Sequence, residues 1–151
     1  MNVQGSLVER QSRRLLQAGI ALILFGALLG LAIPHFTVPR LALSAHLVGI
    51  LQGIFLVAIG VVWPRLSLSF GQSRLVFWLL IYQGSVAPIA NLLAAAWGAG
   101  NSIVPIAAGA AHSTAAQEAV INIGLRSAGA ALVVSLVFIL WGLRRDNSNA
   151  A

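Results

Sequence analysis

The sequence carries, at positions 41–63, the run LALSAHLVGILQGIFLVAIGVVW, which contains no Arg, Lys, Asp or Glu and a single histidine, His46. As an α-helix this run reaches roughly 34 Å, enough to cross the ~30 Å hydrocarbon core of a bilayer. Pro64 follows directly and disfavours continuation of the helix. The run therefore predicts a transmembrane helix that ends at Trp63.

Three further apolar runs predict three more spans. They lie at 15–33, closed by Pro34, at about 75–99, and most clearly at 127–143, where a helix is expected over about 120–143. The first run is longer than the apolar core of a signal peptide and lacks a small-residue cleavage motif after it, so we expect it to remain as a helix. The chain is thus predicted to be a single all-α integral membrane domain, residues 1–151, formed by a four-transmembrane-helix bundle.

Composition supports a membrane setting and narrows the chemistry. Hydrophobic residues make up 59% of the 151 residues and charged residues only 8%, whereas soluble chains carry about 25% charged residues. There is no cysteine, and the one methionine is Met1. Disulfides, thiolate metal sites and Met-ligated haem are therefore excluded. Any metal or haem iron must rely on His, Tyr or a carboxylate.

The arginines indicate topology and not a nucleic-acid partner. Seven fall on one side of the predicted spans: Arg10, Arg13, Arg14, Arg65, Arg74, Arg144 and Arg145. By the positive-inside rule this side, with both the N and C termini, is expected to be cytoplasmic, at a bacterial inner membrane. Tryptophans at 63, 78, 97 and 141 lie near span ends, where aromatic belts are expected.

Polar side chains inside the spans mark candidate sites, because burying them in lipid is costly. They are His46, Gln52, Tyr82, Gln83, Asn91, Glu118, Asn122 and Arg126. His46, Gly49 and Gly53 share one helical face, with Gln52 beside it. A histidine above glycines leaves a flat space. This pattern favours either a structural histidine bonded to a neighbouring helix or an axial ligand of a flat cofactor such as haem.

The third span carries a predicted kink. Pro88 removes a helix hydrogen bond and frees the carbonyl of Gly84, and Asn91 lies on the same face. This pattern indicates either a purely structural kink or a kinked helix face that presents the Asn91 amide to a ligand. Two G-x-x-x-G patterns, at 26–30 and 49–53, predict close helix packing within or between subunits.

The approach to the fourth span carries a polar stripe. Glu118, Asn122 and Arg126 are spaced at i, i+4 and i+8, so their charges are expected to neutralise each other through Asn122. Alternatively, Arg126 or Arg40 would bind haem propionates. The connector at 100–116, rich in Ala and Gly, is a candidate lid over the pocket.

Several stretches resemble the bacterial hydroxylaminobenzene mutase family. They are RLALSAHL at 40–47 followed by Gly49 and Gly53, NLLAAAWGAG at 91–100, AAQEA at 115–119 and LWGLR at 140–144. The resemblance covers most of the chain in the same order. It implies a membrane-bound isomerase that converts hydroxylaminobenzene to 2-aminophenol, moving the hydroxyl group from nitrogen to the ortho ring carbon.

A more distant resemblance is to membrane styrene oxide isomerase, also a small four-helix protein. There a histidine on the second helix binds haem b between subunits of a trimer, and the ferric iron acts as a Lewis acid. The matching residue is His46. The family's asparagine six positions later matches Gln52, and its tyrosine on the third helix falls on Asn91. This departure disfavours epoxide chemistry and favours the mutase.

We therefore expect an intramolecular mutase with haem b held by His46 and lying along Gly49 and Gly53. Gln52 and Asn91 would orient a small aromatic substrate and its moving oxygen. The resemblance implies a homotrimer. An epoxide isomerase is the alternative among enzymes, and a haem-free structural subunit or a small transporter is the alternative of another class.

Overall fold

The computed structural model describes residues 3–109 and 113–144, and the regular structure in these ranges is entirely helical. The helices are α1 (Val3–Ala32), α2 (Pro39–Val62), α3 (Phe70–Trp97), the short α4 (Pro105–Ala108) and α5 (Ala115–Arg144). The four long helices have the length and apolar composition needed to cross a membrane. The predicted all-α fold with four spanning helices is confirmed.

Prolines and caps set the helix ends. α1 and α2 run into short 3₁₀ turns that each contain a proline, Ile33–His35 and Trp63–Arg65. α3 begins with a capping box, in which the side chains of Ser69 and Gln72 each accept from the other's backbone N–H. It ends at Gly98, whose φ of 66° is favourable for glycine. These local signals separate the four long helices.

The four long helices do not form a closed ring. α1 packs mainly on α2, α2 also packs on α3, and α3 packs on α5. One end of the bundle holds the start of α1, the α2–α3 turn and the end of α5, and we call it the terminal end. The opposite end, with the α1–α2 turn and the α3–α5 connector, is the connector end. Because α5 reaches the bundle mainly through α3, a cleft remains between α2 and α5.

The contact between α1 and α2 depends on glycine. A Cβ atom on Gly49 would lie 3.3 Å from the Cα of Gly26, and one on Gly53 would lie 2.6 Å from the carbonyl oxygen of Gly19. Such an approach requires residues without side chains. The close helix packing predicted from the two G-x-x-x-G patterns is therefore confirmed, and it occurs within one chain.

A buried polar cluster joins three helices at the terminal end. The Oε1 of Gln11 accepts from the Nε1 of Trp63 at 3.2 Å and from the hydroxyl of Ser73. The amide of Gln11 in turn donates to the carbonyl of Ser73 at 3.4 Å. Trp63 is only 1% exposed, so its predicted place in an aromatic belt is wrong. Trp78 and Trp141 are exposed, as such a belt requires.

Candidate functional site

His46 is held by α1 in one ring orientation. Its Nδ1 lies 2.7 Å from the carbonyl oxygen of Gly26, and a Cβ on Gly30 would come within 2.8 Å of the ring. A carbonyl can only accept, so Nδ1 carries the hydrogen and the Nε2 of the neutral ring keeps its lone pair. Histidines that ligate metals are commonly anchored through the other ring nitrogen in this way. The geometry suits a ligand that binds through Nε2.

The glycines below His46 have a different place from the one predicted. Gly49 and Gly53 are buried, and the backbone of α1 lies directly against them. The flat space predicted beside the imidazole is occupied by α1, so within one chain it cannot take a macrocycle. Gly30 of α1 makes room for the imidazole, whereas Gly26 lies against the backbone of α2 at His46 and Ile50.

Gln52 faces a cleft on another side of α2. The cleft has a volume of about 360 Å³ and is lined by Val48, Leu51, Gln52, Phe55, Leu132 and Leu136. Gln52 is half-buried, and its side chain makes no hydrogen bond within the described part of the chain. Six residues along a helix turn its face by about 120°, so His46 and Gln52 diverge. One chain therefore does not bring them together.

Asn91 is buried on α3, 7% exposed, and its Nδ2 donates to the carbonyl of Ala87 at 2.9 Å. Pro88 lies inside α3 as predicted and has no N–H for the carbonyl of Gly84. Asn91 is thus bonded to its own helix next to the proline. Tyr82, one of the polar residues predicted within the spans, joins α3 to α5 through a 2.8 Å hydrogen bond with Ser127.

Arg40 and Arg126 are both exposed. Arg40 lies at the start of α2 and lines a surface hollow of about 530 Å³, together with residues 103–107. Neither arginine makes an ion pair within the described ranges, so both side chains are available to an anionic group.

His35 is exposed in the 3₁₀ turn after α1, and His112 lies outside the described residues. Those residues contain no cluster of three potential metal ligands.

Glu118 has a role that its helical spacing did not predict. Its carboxylate accepts from the backbone N–H groups of Gly100, Asn101 and Ser102, the first at 2.7 Å, and from the hydroxyls of Ser102 and Ser113. The predicted neutralisation of Arg126 through Asn122 is therefore wrong, because the Glu118 carboxylate turns to backbone N–H donors beyond the end of α3. It fastens the connector to the start of α5.

We predict that Glu118→Gln releases this connector. A neutral amide offers one acceptor and turns an N–H₂ group toward donors, so charge-assisted hydrogen bonds are lost. Hydrogen exchange at the amides of Gly100 and Asn101 should accelerate roughly tenfold. Glu9→Gln, the same change at an exposed carboxylate on α1, should leave those amides unchanged. Equal exchange in the two variants would contradict the fastening role.

The structure also shows two features that the spacing of residues in the sequence did not predict. Gln83, noted only as one of the polar residues within a span, is almost fully buried. A second groove of about 330 Å³ lies between α1 and α3 beside Pro88, and its lining is apolar apart from Ser85. Neither feature has a signal in local sequence, since both depend on which helices are neighbours.

Comparison with known proteins gives concordant matches. The family model described as "SOI: Styrene oxide isomerase" matches residues 11–144. Hydroxylaminobenzene mutase HabB of Ectopseudomonas oleovorans is 47% identical over 143 residues, covering 92% of this chain and 87% of that protein. Hydroxylaminobenzene mutase HabA of the same organism is 37% identical over 131 residues, covering 87% and 97%. No solved structure matches the chain.

Proposed function

We propose, since this chain belongs to the styrene oxide isomerase family, that it is a membrane-bound mutase which converts hydroxylaminobenzene-type arylhydroxylamines to 2-aminophenols. The 47% identity to a hydroxylaminobenzene mutase over most of the chain carries this proposal. The reaction is an isomerisation: the N–O bond breaks, a C–O bond forms at the ortho carbon, and the ring proton leaves while nitrogen gains one. No second substrate is needed.

We further propose that His46 holds haem b through Nε2. The hydrogen bond from Nδ1 to the carbonyl of Gly26 supports this assignment, because it leaves the lone pair of Nε2 available to bind iron. Arg40 and Arg126, both exposed, are the residues we propose for the propionates. A ferric haem held there would supply Lewis acidity toward an oxygen atom.

Within this proposal the amides orient the substrate. Gln52, which has no partner of its own in the described part of the chain, would donate to the oxygen as it moves. The apolar side chains of the cleft would receive the ring and keep bulk water away from the reacting atoms. Asn91, buried on α3, would contribute its amide oxygen, since its Nδ2 already bonds Ala87.

The divergent faces of α2 support a proposed assembly of several copies. The seam between α1 and α2 presents His46, and the cleft between α2 and α5 presents Gln52. If the seam of one copy lay against the cleft of the next, both residues would face the same interface, and head-to-tail contacts form rings when the rotation between copies closes. We propose the homotrimer that the family resemblance implies. We also propose cytoplasmic termini in the bacterial inner membrane, from the arginine distribution.

Product analysis tests the proposed reaction. Detergent-purified protein is incubated with hydroxylaminobenzene in ¹⁸O-labelled water and, in parallel, with styrene oxide. We expect unlabelled 2-aminophenol, because the oxygen stays within one molecule. Label in the product would contradict intramolecular transfer. Phenylacetaldehyde alone would favour the epoxide isomerase that the family model's description suggests, and no conversion of either compound would favour a structural subunit or transporter.

A further inference from the structure

Gln83 lies halfway along α3, and its side-chain amide is buried. Its side chain is 1% exposed, and its Nε2 has no partner within the described part of the chain. Burying an unpaired amide is costly, and the middle of a membrane span offers little water to compensate it. A buried polar residue that lowers the stability of the fold without forming a stabilising contact indicates a role in function.

Other buried polar side chains in the described ranges do have partners. Gln11 and Ser73 bond each other, Asn91 bonds the carbonyl of Ala87, and Ser135 bonds the carbonyl of Ala131. Each of these side chains thus has a hydrogen-bond partner inside the bundle. Gln83 is the exception.

The helical position of Gln83 gives the direction of its side chain. On α3, Val86 faces Gly124 of α5, and Gly84 faces Leu56 of α2. At about 100° per residue, Gln83 lies about 60° from Val86 and about 100° from Gly84, on opposite sides. It therefore occupies the strip of α3 between the two neighbouring helices, behind the cleft that separates α2 from α5.

We propose that Gln83 is a second amide of the substrate site, behind the lining of this cleft, with Gln52 on its wall. Its Nε2 would donate to the polar substituent of an arene whose ring lies among Phe55, Leu132 and Leu136. The ligand class is a small arene with one hydroxylamine, amine or hydroxyl group. This inference rests on the proposed function for its substrate class, and the experiment below separates the two.

The test uses Gln83→Met and Gln83→Leu in the full chain, purified in detergent. Binding of 2-aminophenol is measured by equilibrium dialysis, thermal unfolding without ligand by fluorescence, and KM and kcat with hydroxylaminobenzene. Both variants should unfold at a higher temperature than the wild type, because the unpaired amide is gone. Their dissociation constants for 2-aminophenol should rise roughly tenfold, as expected for one lost hydrogen bond. Ser135→Ala, which removes a paired buried hydroxyl, should bind as the wild type does.

Three results would overturn the proposal. They are unchanged binding in both variants, no binding by the wild type, and weaker binding that accompanies a lower unfolding temperature in both variants, which would make the amide a support of the fold. If the wild type binds 2-aminophenol but converts no hydroxylaminobenzene, the proposed reaction fails. The role of Gln83 is then still decided by dialysis.

Discussion

His46→Ala is expected to remove both haem and activity from the purified protein. The imidazole is the only one in the described spanning helices, and its Nε2 is left free by the bond from Nδ1 to Gly26. Without it the proposed iron has no protein ligand, and the Lewis acid for the moving oxygen is lost. Turnover of hydroxylaminobenzene should fall by roughly a hundredfold to a thousandfold. The Soret band of the purified protein should disappear with it.

His35→Ala is the matched control, because His35 is exposed in the 3₁₀ turn that follows α1. This variant should keep the Soret band and the rate. Wild-type protein that shows no Soret band yet converts hydroxylaminobenzene would refute the haem assignment and leave the mutase activity intact. His46→Ala that retains turnover would refute the role of the histidine altogether.

The spanning helices were predictable because each consists of a long apolar run closed by a local signal. Pro34 and Pro64 mark the ends of α1 and α2 within a few residues. The starts were less predictable: α1 begins at Val3 and not at 15, since polar residues continue a helix beyond the apolar run. Gln11, in this added segment, is buried against Trp63 and Ser73. Its burial depends on neighbouring helices, which periodicity does not reveal.

The candidate site was predictable in its residues but not in their arrangement. A helical wheel correctly groups His46 with Gly49 and Gly53, yet it cannot say whether a cofactor or another helix fills the space beside them. Here α1 fills it, with its own glycines at the contact. Glu118 shows the same limit: its spacing pairs it with Asn122, whereas its carboxylate accepts charge-assisted hydrogen bonds from backbone N–H groups of the connector.

Gly53→Ala is expected to cause the largest loss of stability among single-methyl additions to the α1–α2 contact. The new Cβ would lie 2.6 Å from the carbonyl oxygen of Gly19 and 2.8 Å from the backbone nitrogen of Ile23. Both atoms belong to the backbone, so no side-chain rotation relieves the clash and the two helices must separate. Overpacking of this kind costs about 1–3 kcal/mol, and the unfolding temperature in detergent should fall by several degrees.

Gly129→Ala provides the control for the change of residue type. Gly129 is exposed on α5, and a Cβ there meets nothing within 4 Å. Because alanine favours a helix over glycine by roughly 0.5–1 kcal/mol, this variant should unfold at the same or a higher temperature. The two variants should therefore shift the unfolding temperature in opposite directions, which distinguishes the effect of the clash from that of helix propensity. If Gly53→Ala instead unfolds as Gly129→Ala does, the helices are not in backbone contact at this level. The carbonyl of Gly26 would then not fix the ring of His46, since the same crossing of α1 and α2 sets both the Gly53 contact and the hydrogen bond from His46.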